Sequence, residues 1–210
     1  MKLLGITQRV EVVATYGERR DCLDQRWWDV AYSLGFVPIP LPNMPCDRIE
    51  KFLCKLDISA ILFSGGNSLT FLDDQASDVA PERDQFESCL IEWAMNFNVP
   101  VLGVCRGMQV INHFLKGELK LMHDHAAVRH VVTFSGELSS EASREVNSYH
   151  NWGITYMGLG KGLHPLAQAN DGTIEAFQHD SKRVAGMMWH PERESPLHPH
   201  DIRLMKNFLL

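Results

Sequence analysis

Along the first half of the chain, short apolar runs alternate with segments whose apolar residues recur every three or four positions. The runs "KLLGIT" (2–7), "ISAILFS" (58–64) and "PVLGV" (100–104) read as strands buried on both faces, and "FVPIPLP" (36–42) as a strand stopped by its prolines. Between them, "CLDQRWWDVAYSLG" (22–35) reads as a helix ended by Gly35, and "RDQFESCLIEWAMNFN" (83–98) as a helix with Phe86, Leu90 and Ala94 at four-residue spacing. A third helix, "GMQVINHFLKG" (107–117), follows directly on a strand. The second half is β-rich, with strand patterns in "RHVVTF", "EVNSY", "TIEAFQ" and "RVAGMMW". Strand–helix alternation with apolar strands predicts an α/β fold: a mostly parallel central sheet with helices on both faces. Ligands of such sheets bind at the carboxyl ends of the strands, so reactive residues are sought there.

Composition narrows the picture. The 210 residues are 45% hydrophobic and 22% charged, enough for one cored domain over 1–210, and no repeat or Gly/Ser linker divides them. A net charge of −6 gives no general attraction to nucleic acid or to an anionic membrane. No apolar stretch approaches a membrane span, and "MKLLGITQRV" is too short for a secretory h-region. The five cysteines, Cys22, Cys46, Cys54, Cys89 and Cys105, are odd in number and lack CxxC spacing. Neither a disulfide framework nor a zinc site is expected, and a reducing cytoplasm fits.

Cys105 stands apart from the other cysteines. In "GVCRG" it falls between a buried strand and a helix, with Gly103 and Gly107 on either side, the arrangement of a nucleophile elbow with sulfur in place of oxygen. Glycines on both sides let backbone segments meet, and the helix start lowers the thiol pKa. A nucleophilic cysteine needs a base, and the base needs an orienting group. In "GMMWHPE", Pro191 biases His190 toward extended backbone, in which Glu192, two residues on, points the same way as the imidazole. "FSGGNS" ends a strand in Gly65-Gly66, whose N–H groups can join the Arg106 N–H in holding an oxyanion.

These pieces, in this order, resemble the class I glutamine amidotransferase superfamily. Over "GITQR", "PIPLP", "FSGGN", "ERDQFE", "PVLGVCRGMQVIN", "VNSYHNWGI", "ANDGTIEAF" and "MMWHPE" the chain is similar to its free-standing γ-glutamyl hydrolase branch, of the peptidase C26 type. The resemblance implies a flavodoxin-like α/β fold and thiol-dependent hydrolysis of a small-molecule γ-glutamyl amide. It implies Cys105 as nucleophile, His190 as acid and base, Glu192 as orienter, and Gly66 with Arg106 as oxyanion donors. Gln109 would help hold the glutamyl moiety, and Asn151 and Trp152 match the place where the backbone grips its α-amino and α-carboxylate groups. No metal or organic cofactor is implied.

The departures bear on the leaving group. The glycine turn continues as Asn67-Ser68 where members that cleave γ-glutamyl-γ-aminobutyrate carry Gly-Gly-x-Asp-Val, and His150-Asn151-Trp152 replaces their His-His-Gln. These changes argue against γ-aminobutyrate. Arg9, Arg19, Arg20 and Arg26 follow the first strand, at the mouth of the cleft, where paired N–H donors suit phosphates, unless they are simply a solvated surface. In "GITQR", "CLDQRW" and "NSYHNWG" the chain is similar to the branch that hydrolyses γ-glutamyl-CDP-amidate in capsule phosphoramidate synthesis. That implies a nucleotide-linked substrate, with Arg9 and Arg19 among its contacts.

Two alternatives stay open: a glutaminase subunit that passes ammonia to a separate synthetase, and a non-enzymatic binding protein on the same fold. A homodimer also stays open, because a pairing surface is not legible in one chain. His123, His125, His130, His198 and His200 have no cysteine or carboxylate at finger spacing, so no metal site is expected among them. Asp171-Gly172 reads as a hairpin turn, and Trp27 and Trp28 cannot both face the core.

Overall fold

The computed structural model describes residues 1–135 and 142–210. The chain runs β1 (Lys2–Thr7), β2 (Arg9–Val12), β3 (Arg19–Cys22), α1 (Trp27–Leu34), β4 (Phe36–Leu41), α2 (Cys46–Leu56), β5 (Ile58–Phe63), α3 (Pro81–Asn96), β6 (Val101–Val104) and α4 (Arg106–Phe114). It continues with β7 (Lys120–Leu121), β8 (Ala126–Phe134), β9 (Ser143–Tyr149), β10 (Trp152–Gly153), β11 (Leu163–Ala169), β12 (Ile174–His179), β13 (Val184–Met187) and α5 (Pro199–Leu209). Nine strands form one sheet in the order β4-β1-β5-β6-β13-β12-β11-β8-β9. From β4 to β13 neighbours are parallel; from β13 to β9 they are antiparallel, so the β-rich second half widens the sheet that the first half begins.

Side chains alternate across that sheet into two cores. On β5, Ala60 and Leu62 join α1 and α5 on one face, while Ile61 and Phe63 join α2, α3 and α4 on the other. Strands apolar on both faces therefore mark the middle of the sheet, as their sequence predicts. Trp27 is buried and Trp28 is exposed, which settles how the pair divides. No helix among the described residues is long and apolar enough to cross a membrane.

Several expectations are corrected. The helix predicted from residue 22 begins at Trp27, because Cys22 pairs with Arg9 in the β2–β3 hairpin, whose polar strands carry no apolar period. Helices α2 and α5 were not foreseen; each buries only a narrow stripe, such as Ile49 and Leu53 of α2. Cys46 and Cys89, separated by 43 positions, form a disulfide with Cα atoms 5.8 Å apart. The pairing arises because α2 packs on α3, a contact that cysteine spacing does not reveal, and cysteine usage no longer argues for a reducing compartment.

The closest packing lies where α4 crosses the sheet. A Cβ on Gly107 would stand 2.2 Å from the Phe63 carbonyl oxygen, and one on Gly103 2.4 Å from the Gly107 carbonyl carbon. Gly107→Ala is therefore expected to cost about 3 kcal/mol of stability. Urea denaturation measures it; an alanine variant as stable as the parent would contradict this contact.

Candidate active site

Cys105 is the single residue between β6 and α4. Its backbone is held at φ 51° and ψ −106°, a left-handed conformation that an L residue adopts only when its surroundings impose it. The Cys105 N–H donates to the Met187 carbonyl of β13 at 2.8 Å, so the turn is tied to the neighbouring strand. His190 follows that strand. Its φ of −106° and ψ of 93° are extended, as Pro191 requires, but Pro191–Arg193 form a 3₁₀ turn. It is this turn, rather than continued extension, that returns Glu192 to the ring, with Oε1 2.7 Å from His190 Nδ1. Asn147 of β9 clasps the His190 backbone: its Oδ1 accepts the His190 N–H at 2.9 Å and its Nδ2 donates to the His190 carbonyl at 2.8 Å.

The thiol and the imidazole are close enough that each shifts the other's titration. Burial pushes the Cys105 thiol up, but the charge and hydrogen bond of His190 outweigh it and hold the thiol below its ordinary value. Burial pulls His190 down, while Cys105 and Glu192 together raise it to about 10. Both shifts favour a thiolate–imidazolium pair, with a carboxylate behind the ring.

Loop 64–67 lies against this pair. A Cβ on Gly65 would meet His190 Cε1 at 2.8 Å, and Gly66 sits at φ +84°. The fully buried Arg83 of α3 fixes the loop, donating to the carbonyls of Ser64 at 2.8 Å, Gly65 at 3.1 Å and Gly66 at 2.7 Å. Across trans peptides, the N–H groups of Gly65, Gly66 and Asn67 then point away from the arginine. Arg106 opens α4, where first-turn N–H groups have no intrahelical partner. Beneath the loop, Glu87 takes Arg83 Nε at 2.9 Å, the Thr7 hydroxyl at 2.7 Å and the Arg106 guanidinium, which also pairs with Asp84. Burial pushes Glu87 up, yet the two arginines hold it below the usual carboxylate range. Burial lowers Arg83 to about 10, so it stays charged at neutral pH.

Two spaces meet at Gly66. A cleft of about 590 Å³ is lined by Cys105, Arg106, Gln109, Asn151 and Trp152, among others, which brings the sequence-predicted glutamyl contacts together. Gln109 Nε2 is already spent on the Trp152 carbonyl at 2.8 Å, so it shapes this wall. A smaller space of about 60 Å³ lies on the His190 side, lined by Arg9, Asp24, Gly66, Glu192 and Arg193. Arg9 thus reaches the mouth, paired with Glu11 at 2.7 Å. Arg19 lines neither space; its Nε bonds Glu82 at 2.7 Å. Asn67, one of the divergent positions, is occupied with the Val10 backbone, donating to its carbonyl at 2.9 Å and accepting its N–H at 2.8 Å.

Residues 2–192 match the sequence profile of the Peptidase C26 family. The chain belongs to the Peptidase C26 family. γ-Glutamyl-CDP-amidate hydrolase of Campylobacter jejuni is 35% identical to it over 208 residues, 98% of this chain and 96% of that protein. A subunit of the glutamine-hydrolyzing GMP synthase of Methanocaldococcus jannaschii is 26% identical over 84% of this chain and 86% of that protein. Among solved structures, a GMP synthase subunit of Thermoplasma acidophilum shares the fold, with a TM-score of 0.71 at 18% identity, covering 100% of this chain and 92% of that one. As a C26 member the chain is a hydrolase of amide bonds of the cysteine-peptidase type.

Within this C26 chain the structure adds residues that sequence reasoning did not single out. Arg83 and Glu87 stand in the "ERDQFE" segment, where their i,i+4 spacing was the available signal. Asn147 had no local signal, since its partner lies 43 positions away. Arg193 lies beside the H-P-E turn, with its guanidinium 4.2 Å from the Tyr149 ring centroid.

The ion pair makes a pH-dependent prediction. A lowered thiol keeps its thiolate below the ordinary range, and alkylation is lost only as pH falls through that lowered value. In His190→Ala the largest lowering influence is gone and burial shifts the thiol upward, so iodoacetamide labelling of the Cys105 peptide at neutral pH should slow by about tenfold or more. Mass spectrometry of that peptide reads it; unchanged labelling would contradict the pairing.

Proposed function

We propose that the chain hydrolyses a γ-glutamyl amide whose departing group carries phosphate, with γ-glutamyl-CDP-amidate as substrate and glutamate and cytidine diphosphoramidate as products. The observation that carries this reading is the placement of Arg9 and Arg193 around the space on the His190 side, away from the cleft that holds Gln109, Asn151 and Trp152. A leaving nitrogen protonated by His190 departs toward those guanidinium groups, which suit phosphate oxygens. The match to the Campylobacter hydrolase over nearly the whole chain supports the same substrate.

In this reading the Cys105 thiolate attacks the side-chain carbonyl carbon, and the N–H groups of Gly66 and Arg106 receive the charge on oxygen, each worth about 2.7–4 kcal/mol at the transition state. The C–N bond breaks as the His190 imidazolium gives its proton to the leaving nitrogen, leaving a glutamyl thioester on Cys105. Neutral His190 then takes a proton from water, the hydroxide displaces sulfur, and glutamate leaves with the thiolate–imidazolium pair restored. Glu192 holds the ring through Nδ1 and stabilises its charged form.

A second reading, a glutaminase component that feeds ammonia to a synthetase, is favoured by the relationship to the glutamine-hydrolyzing GMP synthase. The two separate cleanly in one assay of glutamate release by the chain alone. The hydrolase reading expects release from γ-glutamyl-CDP-amidate well above that from glutamine, abolished in Cys105→Ala. It also expects Arg9→Ala and Arg193→Ala to raise KM for the nucleotide adduct by about tenfold each, with little change on glutamine. Release from glutamine only, and only with a synthetase present, would favour the second reading.

A further inference from the structure

Beside the cleft, which His150 itself helps to line, three histidines converge on one carboxylate. His125 precedes β8, His130 lies on it, His150 follows β9, and Glu175 is a fully buried residue of β12. Glu175 Oε1 stands 3.7 Å from His125 Nδ1 and 3.5 Å from His150 Nε2, and Oε2 stands 3.4 Å from His130 Nε2. All five atoms are buried, and none makes a hydrogen bond. His125 and His130 have no carboxylate at finger spacing, as expected; the carboxylate they meet lies 45 residues beyond His130, on a strand that only the folded sheet brings near. Asp171 also does more than turn a hairpin, since its Oδ2 is 2.8 Å from His125 Nε2.

Ring tautomers sharpen the arrangement. The Trp152 carbonyl can only accept, so His150 Nδ1, 3.0 Å away, carries a proton, and Nε2 is the atom turned toward Glu175 at 3.5 Å. Asp171, oriented by the Thr173 N–H at 2.9 Å, accepts from His125 Nε2, which leaves a lone pair on Nδ1. Three ring nitrogens thus converge on one carboxylate at 3.4–3.7 Å without a hydrogen bond, an arrangement that calls for positive charge among them. Protonated rings are one source of it: burial pulls His150 down, but Glu175 raises it. The rings are close together, however, with the His125 centroid 4.8 Å from that of His130 and 4.9 Å from that of His150, so charge on more than one of them is opposed. One divalent ion supplies the charge without that repulsion.

The spacing matches such an ion. Nitrogen and oxygen donors about 2.0–2.2 Å from a tetrahedral zinc lie about 3.3–3.6 Å from one another. The donor atoms of His125, His130 and Glu175 all fall within 4.8 Å of one another, and the Glu175 contacts of 3.4–3.7 Å lie at or just beyond the tetrahedral separation. A carboxylate behind one ligating histidine and a backbone carbonyl behind another are the usual supports of zinc-bound imidazoles. We propose that His125 Nδ1, His130 Nε2, Glu175 and His150 Nε2 form a structural site for Zn²⁺. Four protein ligands leave no open position, so the ion is a clamp rather than a reagent. It ties β8, β9 and β12 together and, through His150, fixes the Trp152 carbonyl that Gln109 also holds. The inference does not depend on which amide the cleft accepts.

The test uses the full chain carrying Cys105→Ala, so that the cleft thiol does not bind the probe. The protein is stripped with chelator, dialysed against Zn²⁺ or Co²⁺, and assayed for metal content, absorption and melting temperature. The expected result is one retained equivalent, a tetrahedral Co²⁺ spectrum without a thiolate charge-transfer band, and a melting temperature higher by about 5–10 °C at a hundredfold excess over Kd. Glu175→Gln, and separately the partly exposed His130→Gln, should abolish retention while circular dichroism shows both folded. Absence of uptake, equal uptake by both variants, or a thiolate band in the Co²⁺ spectrum would overturn the site.

Discussion

Backbone against backbone, where α4 crosses β5 and β6, is the contact on which the rest of the site depends. With Gly107 pressed on the Phe63 carbonyl and Gly103 on Gly107, the chain has no room to leave β6 gradually, and it turns through Cys105 at φ 51°. A non-glycine residue held there costs about 1–3 kcal/mol, which the packing of both sheet faces against five helices sustains. The gain is position. The thiol is placed at the start of a helix and opposite the residue that follows β13, the strand paired in parallel with β6. Cys105 and His190 therefore meet because two adjacent strands end side by side, and the ion pair between them inherits the rigidity of the sheet.

Around that pair the molecule buries an unusual amount of charge and balances it locally. Arg83 and Arg106 share Glu87, with Asp84 taking the second half of Arg106, so two cations stand against two carboxylates beneath loop 64–67. Buried pairs of this kind contribute little net stability, because desolvation offsets most of their attraction. Their consequence is geometric: Arg83 takes three consecutive carbonyls, and the peptide N–H groups of the loop point away from it. Asn147 does the equivalent for His190 by holding its backbone on both sides. Thiol, imidazole and loop are thus each fixed by groups that do not themselves face the cleft.

What the sequence revealed of this site was what is local. The elbow announces itself because its glycines are two residues from Cys105, and H-P-E because proline restricts its neighbour, although the 3₁₀ turn at Pro191–Arg193, and not an extended segment, brings Glu192 to the ring. Buried strands were legible because burial on both faces removes polar residues. The β2–β3 hairpin, the Cys46–Cys89 bridge, the Asn147 clasp and the convergence of His125, His130 and His150 on Glu175 were not, because each joins segments whose proximity exists only in the folded sheet. Arg9 and Arg19 look alike in sequence and part company in the fold, one at the mouth of the cleft and the other bound to Glu82.

The central claim is that an amide's acyl group passes through sulfur at the elbow. Acid quenching of the protein during turnover of γ-glutamyl-CDP-amidate, followed by mass spectrometry of the Cys105 peptide, tests it most directly. The account predicts a glutamyl thioester on Cys105 of the parent protein, and slower formation of that adduct in His190→Ala, where the leaving nitrogen lacks its proton donor. Turnover with no adduct at Cys105 in either protein, or an adduct on Cys22 or Cys54 instead, would contradict it.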